Sequence, residues 1–130
     1  MKQLITKYLG NIYFPVIWTL FVAFLLCIPG TMLPSESHFF ISNFDKLVHI
    51  CLFGGFVLFW DLYLSKRSTS SSRLLRWYFL VFILGDVFGI GMEFMQKYYI
   101  PFRDFDTGDI IADMIGTGLG YGLSNMFLVK

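Results

Sequence analysis

The sequence is short of charge. Only 15% of its 130 residues are Asp, Glu, Lys or Arg, against 56% hydrophobic residues, and the mean hydropathy is +0.66. A soluble domain of this length carries more charge to cover its surface, so that class is set aside. A net charge of +1 gives no electrostatic footprint for nucleic acid, and no nucleic-acid partner is expected. The two cysteines, Cys27 and Cys51, lie in apolar segments without metal-ligand or redox spacing. They read as packing residues, with a disulfide between them left open. A phosphate-binding Gly loop, a serine-nucleophile motif and a zinc spacing are all missing. No cofactor is required by the sequence, and metal and cofactor stay unassigned.

A signal-peptide cleavage site is missing too. Lys2 and Lys7 precede an apolar run, but "FLLCIPG" holds neither such a site nor the small residues that precede a lipid-modified cysteine. From Tyr8 to Ser35 there are 28 residues without charge, too long for a signal core, so the run is expected to be a retained helix.

What the chain has in quantity is apolar and aromatic surface, including 16 Phe, 7 Tyr and 3 Trp, which suits a lipid-facing exterior with interfacial belts. The length allows one domain, residues 1–130. Four apolar segments are expected to cross a bilayer core of about 30 Å: 11–33, ended by Pro29, Gly30 and Pro34; 47–64; 75–99, stopped by Pro101; and 110–129. The fold class is therefore all-α, a polytopic membrane protein with four transmembrane helices in a bundle. Between the second and third segments lie Lys66, Arg67, Arg73 and Arg76 with no acid, which makes that loop cytoplasmic. Lys2, Lys7 and Lys130 agree. The connection with Glu36, Asp45 and Lys46 and the net acidic one after Tyr99 go outside, so both termini are cytoplasmic. Gly116, Gly118, Gly120 and Gly122 in the fourth segment form two overlapping small-xxx-small patterns that let helix backbones approach.

Five of the nine acidic residues sit between Gly89 and Gly120: Glu93, Asp104, Asp106, Asp109 and Asp113. The topology brings the end of the third segment, the start of the fourth and the start of the second, "DKLVHI", to the same outer face. A candidate pocket of Asp45, Lys46, His49, Glu93, Gln96, Arg103, Asp106, Asp109 and Asp113 follows. Asp45 and His49, and Asp109 and Asp113, are i,i+4 pairs on one helix face; Glu93 and Gln96 are i,i+3. Plainer roles exist for several. Lys46 and Lys97 read as interfacial snorkelling charges, Asp104 as a solvated loop acid, Asp61 as a cytoplasmic-end charge, and His49 alone as a packed polar residue. Asp45 and Asp109 can be N-caps. Glu93 and Asp113 occupy no cap, and a carboxylate inside a span costs about 2.5 kcal/mol or more unless paired or hydrated. Arg103 is the expected partner. Asp86, nearer mid-membrane, is expected to be protonated or bonded within the bundle.

"DKLVH", "GMEFMQ", a following Arg and Asp, "DIIAD" and "GTGLG" resemble the VanZ-like family of small integral membrane proteins, over residues 29–121. By position, the family's polar signature falls on Asp45, Lys46, His49, Glu93, Gln96, Arg103 and Asp109, followed by Gly116. Asp113 departs from it, standing where the family often has Asn. The resemblance implies a bacterial cytoplasmic membrane, and an influence on susceptibility to glycopeptides of the teicoplanin type. Three functions stay open. One is binding of an outer-leaflet lipid or cell-wall precursor, with Arg103, Lys46 and His49 on its anionic headgroup. Another is an intramembrane enzyme on a lipid-linked substrate, with His49, Glu93 and Asp113 as acid/base groups or ligands of a divalent metal. The last is a structural bundle or partner subunit. Expected partners are the lipid bilayer, such a ligand, and in some arrangements a second copy of the chain.

Overall fold

The computed structural model describes residues 8–33 and 43–129; Lys2, Lys7, Pro34, Ser35, Glu36 and Lys130 lie outside them. The described residues form four principal α-helices and no strand: α1 (Tyr13–Leu26), α2 (Phe44–Ser65), α3 (Ser71–Tyr99) and α4 (Thr107–Leu128), with a 3₁₀ turn at Gly30–Met32. α2 and α3 are long and apolar enough to cross a membrane.

The first expected span is shorter than its apolar run. α1 has 14 residues, about 21 Å of helix. Pro29 has no N–H to donate and disfavours helical backbone at Ile28, so the chain leaves the helix at Cys27 although no charge has yet appeared. The other three helices begin three or four residues before the expected points. α2 is entered through Asn43 in the left-handed region, with φ of 59°. α4 is capped by Asp106, whose Oδ1 accepts the Gly108 N–H at 2.7 Å. Asp45 and Asp109 therefore lie in first turns rather than at caps, where their charges still complement the helix dipole.

The helices run up, down, up, down, so α2 and α4 are parallel to each other. These two pack most extensively, with α3 against both and α1 against the outer flank of α2. Glycine permits that contact. A Cβ at Gly116 would strike the Ile50 carbonyl and come within 3.1 Å of the Gly54 nitrogen. One at Gly120 would lie 2.8 Å from the Gly54 carbonyl and 2.9 Å from Val57 Cβ. Gly118 and Gly122 face open space, so only half of the expected small-residue pattern serves packing within the chain. α1 docks through Trp18, whose Nε1–H donates to the Leu52 carbonyl at 2.9 Å above Gly55.

Polar side chains are numerous inside the bundle and large apolar ones numerous on its outside. His49, Asp61, Glu93, Gln96, Asp109, Asp113, Thr117 and Ser124 are buried, while Ile17, Leu20, Phe24, Leu80, Val87, Ile111, Leu119 and Phe127 are exposed. Cys27 and Cys51 are free thiols.

Replacing Gly116 with Leu is expected to lower stability by about 1–3 kcal/mol, because α2 must move away from α4. Gly118→Leu is expected to change it by less than about 0.5 kcal/mol. Thermal unfolding in detergent distinguishes the two; equal losses would mean that the α2–α4 contact does not depend on its glycines.

Candidate functional site

Three helix ends meet at one end of the bundle: the start of α2, the end of α3 and the start of α4. A close crossing of backbones holds the adjoining connections. The Gly30 N–H donates to the Pro101 carbonyl at 3.1 Å, and a Cβ at Gly30 would collide with the Phe102 carbonyl. Phe102 takes a left-handed φ of 59°, rare for an aromatic residue, and this turn sets the direction in which Arg103 leaves the chain.

Lys46 binds the connection to α2. Its Nζ donates to Asp106 Oδ2 and Asp109 Oδ1, both at 2.6 Å, and to Asp45 Oδ2 at 3.1 Å. The sequence favoured a snorkelling role for this lysine and named Arg103 as partner of the carboxylates. The structure reverses the two. Lys46 is satisfied by three acids, while Arg103 makes no ion pair among the described residues. An arginine's long fork was the natural expectation; the i+60 and i+63 partnership of Lys46 is a product of tertiary approach and has no local sequence signal.

Behind this group lies a buried second one. His49 Nδ1 is 2.8 Å from Asp113 Oδ1, and His49 Nε2 faces Asp109 Oδ2 at 3.7 Å. Asp113 is 2% exposed, so its carboxyl is met by the imidazole rather than by water. Gly89 makes room for it, since a Cβ there would sit 2.8 Å from Asp113 Oδ2. Glu93, 1% exposed, accepts the Asp106 N–H through Oε2 at 2.9 Å, tying the end of α3 to the cap of α4. Single donor atoms of His49, Glu93 and Asp109 all lie within 4.8 Å of one another, close enough to share one metal ion. The metal grouping expected from sequence contained Asp113 in place of Asp109. Asp113 instead stands on the far ring nitrogen of the histidine, where it selects tautomer and ring orientation.

Gln96 is drawn elsewhere: its Nε2 donates to the Leu26 carbonyl at 2.9 Å, capping the C-terminus of α1. Asp104 is exposed, and Lys97 lies over the rings of Tyr98 and Phe105 at 5.2 and 5.7 Å. Asp86 accepts the Thr117 hydroxyl at 2.6 Å. Thr117 was not singled out from sequence, although it stands one turn beyond Asp113 on the same helix stripe. Asp61, read from the sequence as an end charge, is fully buried.

Beside His49 is a cavity of about 160 Å³ between α1 and α2, with Leu25, Ile28, Leu33 and Val48 on its walls and Asp45, His49 and Arg103 at its polar end. Larger hollows of about 580 and 300 Å³ lie along the helix flanks, lined by groups such as Leu58 and Leu123 or Val81 and Leu84. They carry no comparable polar chemistry. The small cavity thus offers a guanidinium without an ion pair among the described residues, beside an imidazole and the Asp45 carboxyl, and an aliphatic wall.

The Lys46 ammonium holds the Asp106 carboxyl below the usual carboxylate range, helped by the Gly108 N–H. A group depressed in the folded state contributes stability above its unfolded pKa and loses it as pH falls through the folded value. Thermal stability is therefore expected to fall as pH drops below about 4. Lys46→Met is expected to cost about 1–3 kcal/mol at neutral pH and to remove the Asp106 share of the acid-side slope. An unchanged slope in the variant would show that Lys46 does not govern Asp106.

No family model matches the chain, and no solved structure matches it. Over 85 residues the chain is 29% identical to an uncharacterised protein of Schizosaccharomyces pombe. That stretch is 64% of this chain and 48% of the yeast protein, so the chain spans about half the length of the curated relative it matches.

Proposed function

We propose that the protein is a four-span membrane protein. In this reading its polar end holds a divalent cation and, with Arg103, binds the phosphate-bearing headgroup of a lipid or lipid-linked precursor. The observation that carries the reading is the orientation of His49. Asp113 takes Nδ1, which leaves Nε2 toward Asp109, with Glu93 beside it. Imidazole with carboxylates suits Zn²⁺ or Mn²⁺, and three protein ligands leave a coordination position for a substrate oxygen. Arg103 meets a phosphate by a bidentate fork, and the aliphatic wall from α1 receives the adjoining chain.

The membrane assignment is supported by the apolar outer faces of the helices around a polar interior. α4 has 22 residues, about 33 Å, long enough for a bilayer, while α1 needs its flanking apolar residues to reach across. The basic stretch from Lys66 to Arg76 supports a cytoplasmic position for the opposite end. The likeness to the VanZ-like proteins belongs to the same reading, since Asp45, Lys46, His49, Glu93, Gln96, Arg103 and Asp109 are its signature positions. An effect on glycopeptide susceptibility is what it would add. A fungal relative lends no support to a bacterial membrane or cell wall, so headgroup chemistry alone defines the ligand proposed here.

A second reading rests on the same 2.8 Å contact: without a metal, Asp113 and His49 form a carboxylate–imidazole couple that can take a proton from a hydroxyl or water. Metal binding separates the readings. Titrating the detergent-solubilised protein with Mn²⁺ or Zn²⁺ is expected to reveal one site per chain, lost in His49→Gln and weakened about 10–100-fold in Asp113→Asn. Arg103→Gln is expected to keep the metal affinity and lose selective retention of phosphatidic acid over diacylglycerol. Failure of the wild type to bind either metal would remove the metal reading. Ester hydrolysis under chelation would then favour the couple, and its absence a network that only braces the helices.

A further inference from the structure

At the end of the bundle opposite His49, about 18 Å along α2, Asp61 is buried with 0% exposure. It lies in reach of the Ser124 hydroxyl of α4, and Tyr78 of α3 is within its electrostatic neighbourhood. Yet neither oxygen of Asp61, nor Tyr78 Oη, nor Ser124 Oγ completes a hydrogen bond among the described residues, although the Ser65 hydroxyl also lies near that of Tyr78. Tyr78 and Ser124 are also 0% exposed, and the next residue, Asn125, contributes a further buried carbonyl oxygen without a partner. Leu62, Leu74 and Leu128 pack around Tyr78. Arg67 stacks 5.0 Å over the Tyr63 ring, and Asp61 has no ion pair among the described residues.

Buried oxygens without partners among the described residues, on three adjacent helices, are a costly arrangement unless something binds them. We propose that Asp61, Ser124 and Tyr78 form a buried site for a monovalent cation, with sodium the matching ion. The donor set is oxygen only, which selects a hard cation over a soft one. The charge selects among hard cations. One carboxylate neutralises one positive charge, whereas a divalent ion would leave a net charge among leucines. The site joins α2, α3 and α4 away from the proposed headgroup site and does not depend on that reading. Its occupation couples the inner ends of these helices.

The test is thermal unfolding of the full chain in detergent, in sodium chloride against choline chloride at equal ionic strength, together with sodium titrations at fixed ionic strength. A ligand bound only by the folded state raises the midpoint as its concentration rises, and choline is too large to enter. Wild type is expected to be several degrees more stable in sodium. Asp61→Asn is expected to show no sodium response, because a neutral amide cannot balance the ion, and to be no less stable than wild type in choline. Ser124→Ala, which keeps the carboxylate, is expected to need about tenfold more sodium for half of the effect, the loss of roughly one ligand interaction. Equal midpoints of wild type in sodium and choline overturn the proposal, as does a sodium response that survives in Asp61→Asn. Should Asp61→Asn fail to fold, the Ser124→Ala titration decides, and an unshifted midpoint concentration overturns the site.

Discussion

The close parallel packing of α2 on α4 is the constraint on which the other features depend. With no Cβ at Gly54, Gly116 and Gly120, the two backbones come near enough for side chains to meet without bending either helix. The resulting register is nearly constant along the contact: His49 faces Asp113, Ile50 and Gly54 face Gly116, Val57 faces Gly120, and Asp61 faces Ser124. Both polar groups of the bundle are thus set by one apolar, glycine-dependent contact between them. Helix packing and site geometry are here a single property.

Charge is the second organising fact. Asp45, Glu93, Asp106, Asp109 and Asp113 collect at one end against Lys46, Arg103 and the imidazole of His49. Lys46 cannot satisfy them all, and its three short contacts take it out of play as a ligand for an incoming anion. The remainder is an acidic, buried set with a histidine in it, which favours a cation, and an arginine in a small cavity shared with His49 and Asp45, where a guanidinium can meet an anion. Those two preferences in adjacent places are what a metal-bridged phosphate would satisfy together.

Position along the chain made much of this legible beforehand. Apolar run length predicts helices at all four places, and the convergence of Asp45, His49, Glu93, Asp109 and Asp113 at one end follows from alternating helix direction. Where the expectation differed, the causes are local or tertiary. α1 stops at Leu26 because proline overrides hydropathy. The caps fall on Asn43 and Asp106 rather than Asp45 and Asp109, since which polar residue caps is a matter of one or two residues of register. Gln96 was grouped with the site through its i,i+3 relation to Glu93, but its amide reaches sideways to the end of α1.

The sequence by itself determined the helical class, the order of the elements and which residues share a helix face, because hydropathy and 3.6-residue periodicity are properties of neighbours along the chain. It could not determine who pairs with whom. That Lys46 takes the acids and Arg103 is left to the cavity, that Asp113 stands behind His49 while Asp109 stands before it, and that Asp61 is enclosed rather than solvated were decided only by tertiary structure. Each depends on distances of a few ångströms between residues far apart in sequence. Electrostatic and hydrogen-bond energies change steeply over that range, so a small shift in register would have exchanged the partners.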